Sequence, residues 1–529
     1  MKKGLAGFFE RGLFAPFLFS LQPILQLYVI NLAELDFPEI VRSLFVSFLL
    51  AGIIVGVLHV FLRDRLRSVL VASPFLLFFF LFGDMAGWAS RTFALGPART
   101  NFVVFIFTVG CMTGWTWLAL KRLKNLTTIN LYFNLLGVLF FVNSGIQAAA
   151  YMLENGVTFN PARRAAPVAD VATNIPRPDI YYIILDGYGR RDILQALFEF
   201  DNSEFVDSLA ARGFYVADES SSNYIQTLLS LSSSFNMDYL QNLALDGGNI
   251  ENRADLIEIL NHSELRALLA RNGYQTISFR NNYKATLPTA DIYYDPGAST
   301  LVEPVTAFES IVIDHSLARV LTHIPVFNRA LIEMPYETHR QYILYAFEEL
   351  REVPALDGDY LVYAHIIAPH PPFVFDKDGA VVTHGEPFTL FDANYYIKDH
   401  SRKGYIAGYR KQIQYVNALL LETLDAILSR SKTPPILVVQ GDHGPGAYLH
   451  WGSLERTVPA ERFGILNAYY FPDQDYAALY PSISPVNSFR VILNQFFETD
   501  YALMPDLHYY SQWSLPFDFI EVADLSLPQ

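Results

Sequence analysis

Cysteine is almost missing from this chain of 529 residues: the only one is Cys111. It sits inside an apolar run, so the chain has no internal disulfide and no cysteine-built zinc site, and cysteine usage says nothing about redox compartment. Charge is scarce as well. Charged residues make up 17% against 52% hydrophobic ones, a mix that leans toward the membrane. What charge there is falls unevenly. Residues 1–151 hold 12 Lys/Arg against 6 Asp/Glu, whereas the remainder holds 26 against 47. An acidic remainder without clustered cations argues against a nucleic-acid partner. No small-residue cleavage site follows the first apolar run, so a removable signal peptide is not expected. No internal repeat is present.

Long apolar runs are what the front of the chain does have. Five stretches, Leu13–Leu32, Leu44–Leu62, Val69–Phe82, Phe102–Leu120 and Ile129–Ala149, are read as spans of ~30 Å of hydrocarbon, the third being short. Lys2, Lys3 and Arg11 precede the first; Arg63, Arg65 and Arg67 separate the second and third; Lys121, Arg122 and Lys124 separate the fourth and fifth. With five spans all three clusters share one side, which the positive-inside rule makes cytoplasmic. The opposite loops carry Glu34, Asp36 and Glu39, and Arg91 and Arg99. An odd number of spans then places everything after Tyr151 outside the cytoplasm. The expected organisation is a five-helix transmembrane domain over 1–151, an Ala/Pro-rich linker over 152–178, and an extracytoplasmic domain over 179–529, in a multi-pass protein of the cell membrane.

After the linker, apolar strands alternate with amphipathic helices. Ile180–Leu185 (IYYIIL), Tyr274–Phe279, Tyr360–Ile367, Ile436–Val439 and Ile465–Phe471 read as strands. Helices are expected over Asp192–Phe200, Glu204–Arg212, Tyr224–Phe235, Glu264–Arg271, Arg340–Glu352, Tyr405–Leu428 and Val486–Phe497. The fold class is α/β, a mostly parallel sheet sandwiched by helices, behind an N-terminal helical bundle. In such sheets ligands gather beyond the carboxyl ends of the strands.

Three strand ends carry suggestive side chains: Asp186 in LDGYGR, His365 and His370 in YAHIIAPHPPF, and Asp442 with His443 in VVQGDHGPG. Alone, each has an ordinary reading as a turn or a satisfied histidine. Together, two carboxylates, imidazole and a nearby hydroxyl suit one divalent metal such as zinc or manganese.

The order strand–Asp–Gly, a hydroxyl some forty residues on, His-x-x-x-x-His-x-Pro and Gly-Asp-His-Gly resembles the alkaline phosphatase/sulfatase superfamily. With the spans in front, the architecture is similar to two of its branches, the lipoteichoic acid synthases and the lipid A phosphoethanolamine transferases. The resemblance implies that the metal is held by Asp186, the nucleophile Thr227, Asp442 and His443. It implies that His370 lies by the substrate phosphate and that His365 matches a histidine of the phosphoethanolamine branch. Arg280, ending TISFR, is a weaker candidate for phosphate contact. The implied activity is transfer of a phosphoglycerol or phosphoethanolamine head group from a phospholipid to an envelope glycan or lipid. A sulfatase-like hydrolase of the same superfamily and a non-catalytic membrane-anchored binding protein are the alternatives. No Cys/Ser-x-Pro-x-Arg motif is present, so the formylglycine sulfatase type is not expected. LDGYGR also looks like the opening of cofactor-independent phosphoglycerate mutase, but a second-metal motif is not visible.

The hydroxyl itself lies in SSSNYIQTLLSLSSSFNM. Leu228, Leu229, Leu231 and Phe235 suit a buried helix face, and Ser220–Ser222 lie where caps are expected. Thr227 falls in the first turn, where a helix N-terminus favours a developing alkoxide or phosphate. Ser222 and Ser230 are the fallback nucleophiles.

Overall fold

The computed structural model describes residues 8–32, 35, 37–93, 96–154, 177–245, 253–283, 287–296 and 305–527. Lys2, Lys3, Glu34, Asp36 and all but the ends of the expected 152–178 linker lie outside them. The chain divides into two compact units. One comprises Met1–Gly156, Pro304–Pro335 and His384–Thr389, the other Val157–Glu303, Tyr336–Thr383 and Leu390–Gln529.

The first unit is helical: α1 (Ala15–Ile30), α2 (Phe37–Leu62), α3 (Arg65–Phe80), α4 (Phe82–Phe93), α5 (Pro97–Lys121) and α6 (Leu126–Glu154). Among the described residues three helices, α2, α5 and α6, are long and apolar enough to cross a membrane. The pair α3–α4 is bent by 51° and is countable as a fourth span. Helix α1 has 16 residues, ~24 Å at 1.5 Å per residue, which is short of a full bilayer core. The expected third span therefore departs from expectation, because Phe82 opens a second helix rather than ending the first. Side chains such as Val60, Phe61 and Phe102 are largely exposed, as hydrocarbon-facing residues should be. Polar contacts hold the bundle where apolar packing gives no direction. Asn134 accepts from Ala15 N and donates to Phe9 O and Gly12 O, and Asn130 donates to Glu10 O.

The second unit carries nine strands: β1 (Ile180–Leu185), β2 (Tyr215–Val216), β3 (Gln275–Phe279), β4 (Ile292–Tyr294), β5 (Tyr360–Ile366), β6 (Ile436–Gln440), β7 (Asn467–Tyr470), β8 (Tyr509–Gln512) and β9 (Leu515–Glu521). The first seven form one sheet in the order β2-β7-β6-β1-β5-β3-β4, and the last two pair separately. From β6 through β1, β5 and β3 to β4 every pairing is parallel; β7 runs against β6 and against β2. All six residues of β1 are buried, so both faces of the central strand are covered, which is why its sequence is unbroken Ile, Tyr and Leu rather than alternating. One face packs Ile180, Tyr182 and Ile184 against Leu228, Leu231, Phe235, Leu268 and Phe489 of the surrounding helices.

Register places the site. Ile184 sits opposite His365 of β5 and opposite Gln440 of β6. The residues just past that line, Asp186 and Asp442, therefore emerge side by side at the carboxyl edge. The expected helices form within a few residues of their forecast ends, with three differences, one being that the helix forecast over Arg340–Glu352 begins six residues earlier, at Met334. The helix forecast over Tyr405–Leu428 runs from Ala393 to Arg430 with a break at Ser401 (φ 66°, ψ 160°), and the one forecast from Tyr224 begins at Thr227.

Candidate active site

Two turns build the acidic edge. After β1 the chain reverses at Gly187, whose φ of +71° is a conformation that favours glycine. That turn aims Gly187 N–H at Asp442 Oδ1 (3.0 Å) and is clamped by Tyr409, whose hydroxyl donates to Gly187 O (2.9 Å) and accepts from Gly189 N (3.0 Å). After β6, Gly444 passes so close to the Glu461 carbonyl that a Cβ would lie 2.0 Å from that oxygen. The Asp-His-Gly string is thus locked between two backbones.

The cluster comprises Asp186, Asp442 and His443, each of which offers a ligand atom within 4.8 Å of the other two. Asp186 Oδ2 accepts from His365 Nε2 (3.1 Å), and Asp442 Oδ1 is taken by Gly187. The other two oxygens, Asp186 Oδ1 and Asp442 Oδ2, are buried with no hydrogen-bond partner. They lie 3.7 and 3.4 Å from His443 Nε2. His443 Nδ1 donates to Gly444 O (2.9 Å), which leaves the Nε2 lone pair facing the carboxylates. Burial and the Arg462 guanidinium both push the imidazole toward its neutral form. Burial alone would raise the Asp186 carboxyl, but His370 and the His365 hydrogen bond offset it and hold the group below the ordinary carboxylate range. Two orphaned carboxylate oxygens and the His443 Nε2 lone pair, which also faces the Thr227 hydroxyl and the Arg462 guanidinium, form a buried donor set that fits a divalent cation.

Thr227 is the first residue of the helix Thr227–Asn236, and its Oγ1 lies 3.2 Å from His443 Nε2. The preceding Gln226 is extended (φ −120°, ψ 135°), and its side chain caps nothing in the helix. It donates instead to Ser511 Oγ at 3.0 Å. The structure thus brings Thr227 to Asp186, Asp442 and His443. The fallback hydroxyls are placed otherwise. Ser230 Oγ donates to the Asp442 carbonyl (2.7 Å), while Ser222 sits in the extended segment before the helix with its N–H on Phe463 O and its buried Oγ unbonded. Neither Ser220 nor Ser222 caps the helix, contrary to expectation: Ser220 Oγ donates to Ile483 O (2.6 Å), because this segment is woven into neighbouring loops rather than ending at the helix.

His365 is beside the cluster, with its ring shut in. Its Nε2 faces Asp186 and its Nδ1 faces Asn281 Nδ2 (3.3 Å), so both nitrogens are occupied within the protein. That arrangement orients Asp186 and leaves no ring atom for a substrate oxygen. His370 follows the strand end with its N–H on the Asp186 carbonyl (3.0 Å), and its Nε2 lies 3.8 Å from Asp392 Oδ1. Arg280 is not brought to the cluster. Its Nη1 is held by Asp295 at 2.7 Å and its guanidinium lies over the Tyr342 ring, because the chain after β3 turns toward β4; the next residue, Asn281, is the one that reaches β5.

Asp392 and Arg462 escape sequence reasoning, since no local pattern marks either. Arg462 is buried: it donates to Asp392 Oδ2 (2.9 Å), Ile225 O (2.9 Å), Gly444 O (3.2 Å) and His443 Nε2 (3.2 Å). Beside it Glu461 is fully buried, with Oε2 accepting from Tyr448 N (2.7 Å) and Oε1 unpartnered. Burial pushes the Glu461 carboxyl up to about 8, against smaller opposing effects from the Tyr448 N–H and Arg462. A folded-state value above the unfolded one means stability present at acidic pH and lost as pH rises through about 8. Glu461→Gln should therefore flatten the fall in thermal midpoint of the full chain in detergent between weakly acidic and alkaline pH. Parallel wild-type and variant curves across that range would contradict this.

No protein-family model matches the chain, and no curated protein does. Among solved structures it is similar to the C-terminal periplasmic domain of EptC from Escherichia coli in complex with Zn, at 10% identity and a TM-score of 0.41, covering 66% of this chain and 94% of that one. It is also similar to the integral membrane protein lipooligosaccharide phosphoethanolamine transferase A from Neisseria meningitidis, at 13% identity and 0.41, covering 92% and 95%. The phosphonate monoester hydrolase of Agrobacterium radiobacter is a third, at 13% identity and 0.37, covering 63% and 80%. Such likenesses are distant, and function has to be argued from the cluster itself.

Proposed function

We propose that the chain is a membrane-tethered, metal-dependent enzyme of the alkaline phosphatase/sulfatase type. It moves a phosphoethanolamine or phosphoglycerol head group from a phospholipid to an envelope glycan or lipid through Thr227. The observation that carries this reading is the convergence of two orphaned carboxylate oxygens, an imidazole nitrogen lone pair and one hydroxyl at a single strand edge. A cluster held only by structural need would have satisfied those oxygens. Spans in the first unit and the charge bias of its loops support a multi-pass protein of the cell membrane, with the second unit extracytoplasmic.

Asp186, Asp442, His443 and Thr227 would hold the metal, zinc or manganese; when bound, it lowers the pKa of a ligating hydroxyl and offsets charge on a phosphoryl oxygen. The chain's own residues do the rest. His365 and Gly187 each occupy one carboxylate oxygen and so fix the direction of the other. Thr227 Oγ1 gives up its proton and bonds to phosphorus as the bond from phosphorus to the diacylglycerol oxygen breaks, and the departing oxygen takes up a proton, so the step is proton-neutral. The amides of the first helical turn face the new anion. His370, part-exposed and backed by Asp392, is placed to bind a non-bridging oxygen or to supply that proton. An acceptor hydroxyl then attacks the phosphothreonine and releases Oγ1.

The test is intact-mass analysis of zinc- or manganese-loaded full-length protein after exposure to mixed phospholipids. A single added head-group mass supports the reading and identifies the donor. Chasing the adduct with envelope glycolipid or with buffer alone separates transfer from hydrolysis. Loaded protein that gains no mass and releases no product would remove the reading and favour a binding protein.

A further inference from the structure

The stretch 305–335 behaves as part of the helical unit although the chain on both sides of it belongs to the other. It leaves after Glu303 and returns at Tyr336. Its helix Ala307–His315 packs on α2 and α4, and the tight turn Leu317–His323 packs on α3 and α4. Phe308 lies in one bundle core with Ile24, Ile40, Leu76 and Phe80; Leu317 and Val320 lie against another, with Phe82, Ala86 and Val104. Gly83 allows the approach, since a Cβ there would come within 2.3 Å of the Asp314 carbonyl. The charges on this stretch that face the helices are paired: Glu309 with Arg42, His315 with Asp84 (3.0 Å), and Arg319 with Asp314 (3.4 Å).

Beyond these anchors comes a short run rich in uncovered apolar side chains. Leu321 (38%), Ile324 (45%), Val326 (69%) and Phe327 (42%) are exposed within seven residues. Water is a poor neighbour for such a run. The contacts fix its level along the bundle. Ile40 and Arg42 lie near the start of α2, and Phe82 and Gly83 at the break between α3 and α4. Both are at the end of the helices opposite Arg63, Arg65 and Arg67, the cluster that charge bias makes cytoplasmic. Further along α4, which begins at that break, Trp88 and Phe93 are each 59% exposed and pair edge to face at 5.8 Å, the residue types that line a membrane–water boundary. Near the start of α2, beside the exposed Glu39, Phe37, Val41 and Phe45 present an exposed apolar stripe. The exposed run is therefore anchored at the end of the helices where these lipid-facing side chains lie.

We propose that residues 305–335 form an interfacial strap whose Leu321–Phe327 edge is embedded in the extracytoplasmic leaflet, ~5–10 Å below the headgroup level as for other interfacial segments. The occupant of this surface is lipid. This stands independently of the proposed chemistry and needs only the packing of the strap on the bundle.

The single native cysteine makes the test direct. In a Cys111→Ser background of the full-length protein, nitroxides are placed at Leu321→Cys and Val326→Cys and compared in proteoliposomes. Phe107→Cys, exposed on α5, serves as the lipid control, and Asp378→Cys, on a surface turn of the other unit, as the water control. Collision rates with oxygen and with a water-soluble nickel complex are read for each. The expected oxygen-to-nickel ratio at 321 and 326 is severalfold above that at 378 and approaches that at 107. A ratio equal to that at 378 overturns the strap. So does a label reached by neither reagent, or one broadened by a second label, which would mean that protein, including a second copy of the chain, covers the surface. Monodisperse elution of each variant secures the fold, and the two positions guard against a local failure at one.

Discussion

Thr227→Ala lowers lipid-dependent turnover by on the order of 10³-fold or more and removes the protein-bound adduct altogether. The size of the effect follows from what the residue is asked to do. In the proposed reaction it supplies the atom that bonds to phosphorus, so its loss would remove a step rather than weaken one. The fold should barely notice. Among the described residues the only hydrogen bond that Oγ1 makes is the 3.2 Å contact with His443, and alanine is the better helix former. Stability should change by less than about 1 kcal/mol, as for substitutions that leave no cavity or unpaired charge. Thr227→Ser keeps the hydroxyl and should keep the adduct, with slower turnover from a freer rotamer. An adduct that persists in Thr227→Ala sends the search to other hydroxyls. Ser230 would then be a poor second choice, since its Oγ is committed to the Asp442 carbonyl.

The parts of this site that sequence reveals are those whose position depends on local pattern. IYYIIL can only be a strand covered on both faces, and the residue at its end, Asp186, must emerge at the sheet edge. The same holds for ILVVQ and Asp442. Thr227 is legible because leucines at helical spacing follow it and fix the helix. Arg280 is misplaced by pattern alone. It too follows a strand, but its partner Asp295 comes from the end of β4, a short strand of partly exposed residues that the apolar-run criterion passes over. β7 is legible as a strand but not as a reversed one, because direction is set by the connection and not by composition. The strap at 305–335 is hidden for a related cause. Its apolar residues mix with charges whose partners, Arg42 and Asp84, lie hundreds of residues earlier.

Arg462 is the extreme case and yields the largest stability effect. In VPAERFG it looks like a solvated charge on a short helix. The turn of β6 into Asp442-His443-Gly444 brings it beneath the cluster, where its side chain is 2% exposed. Arg462→Met should cost about 3–5 kcal/mol, the penalty for removing one partner of a buried pair and leaving Asp392 uncompensated. The Ile225 carbonyl loses its donor as well, and the Gly444 carbonyl is left with His443 Nδ1 alone. Asp392→Asn alone should also destabilise, because Arg462 then keeps its charge without a counterion. The double variant Asp392→Asn/Arg462→Met should be more stable than the two single penalties predict, since neither charge remains. Hydrogen exchange of full-length protein, followed on peptides covering β6 and β7, reads these free energies in the unit concerned without requiring the spans to unfold. Strictly additive penalties would show that the pair is not coupled and that Arg462 acts through its carbonyl bonds alone. Arg462→Lys discriminates further. It retains the charge but not the planar fork that serves Asp392, Gly444, Ile225 and His443 at once, so it should rescue only part of the loss. If His443 is held in place chiefly by Gly444 O, that variant should keep the Thr227 adduct despite its lower stability; if the guanidinium positions the imidazole, adduct and stability should fall together.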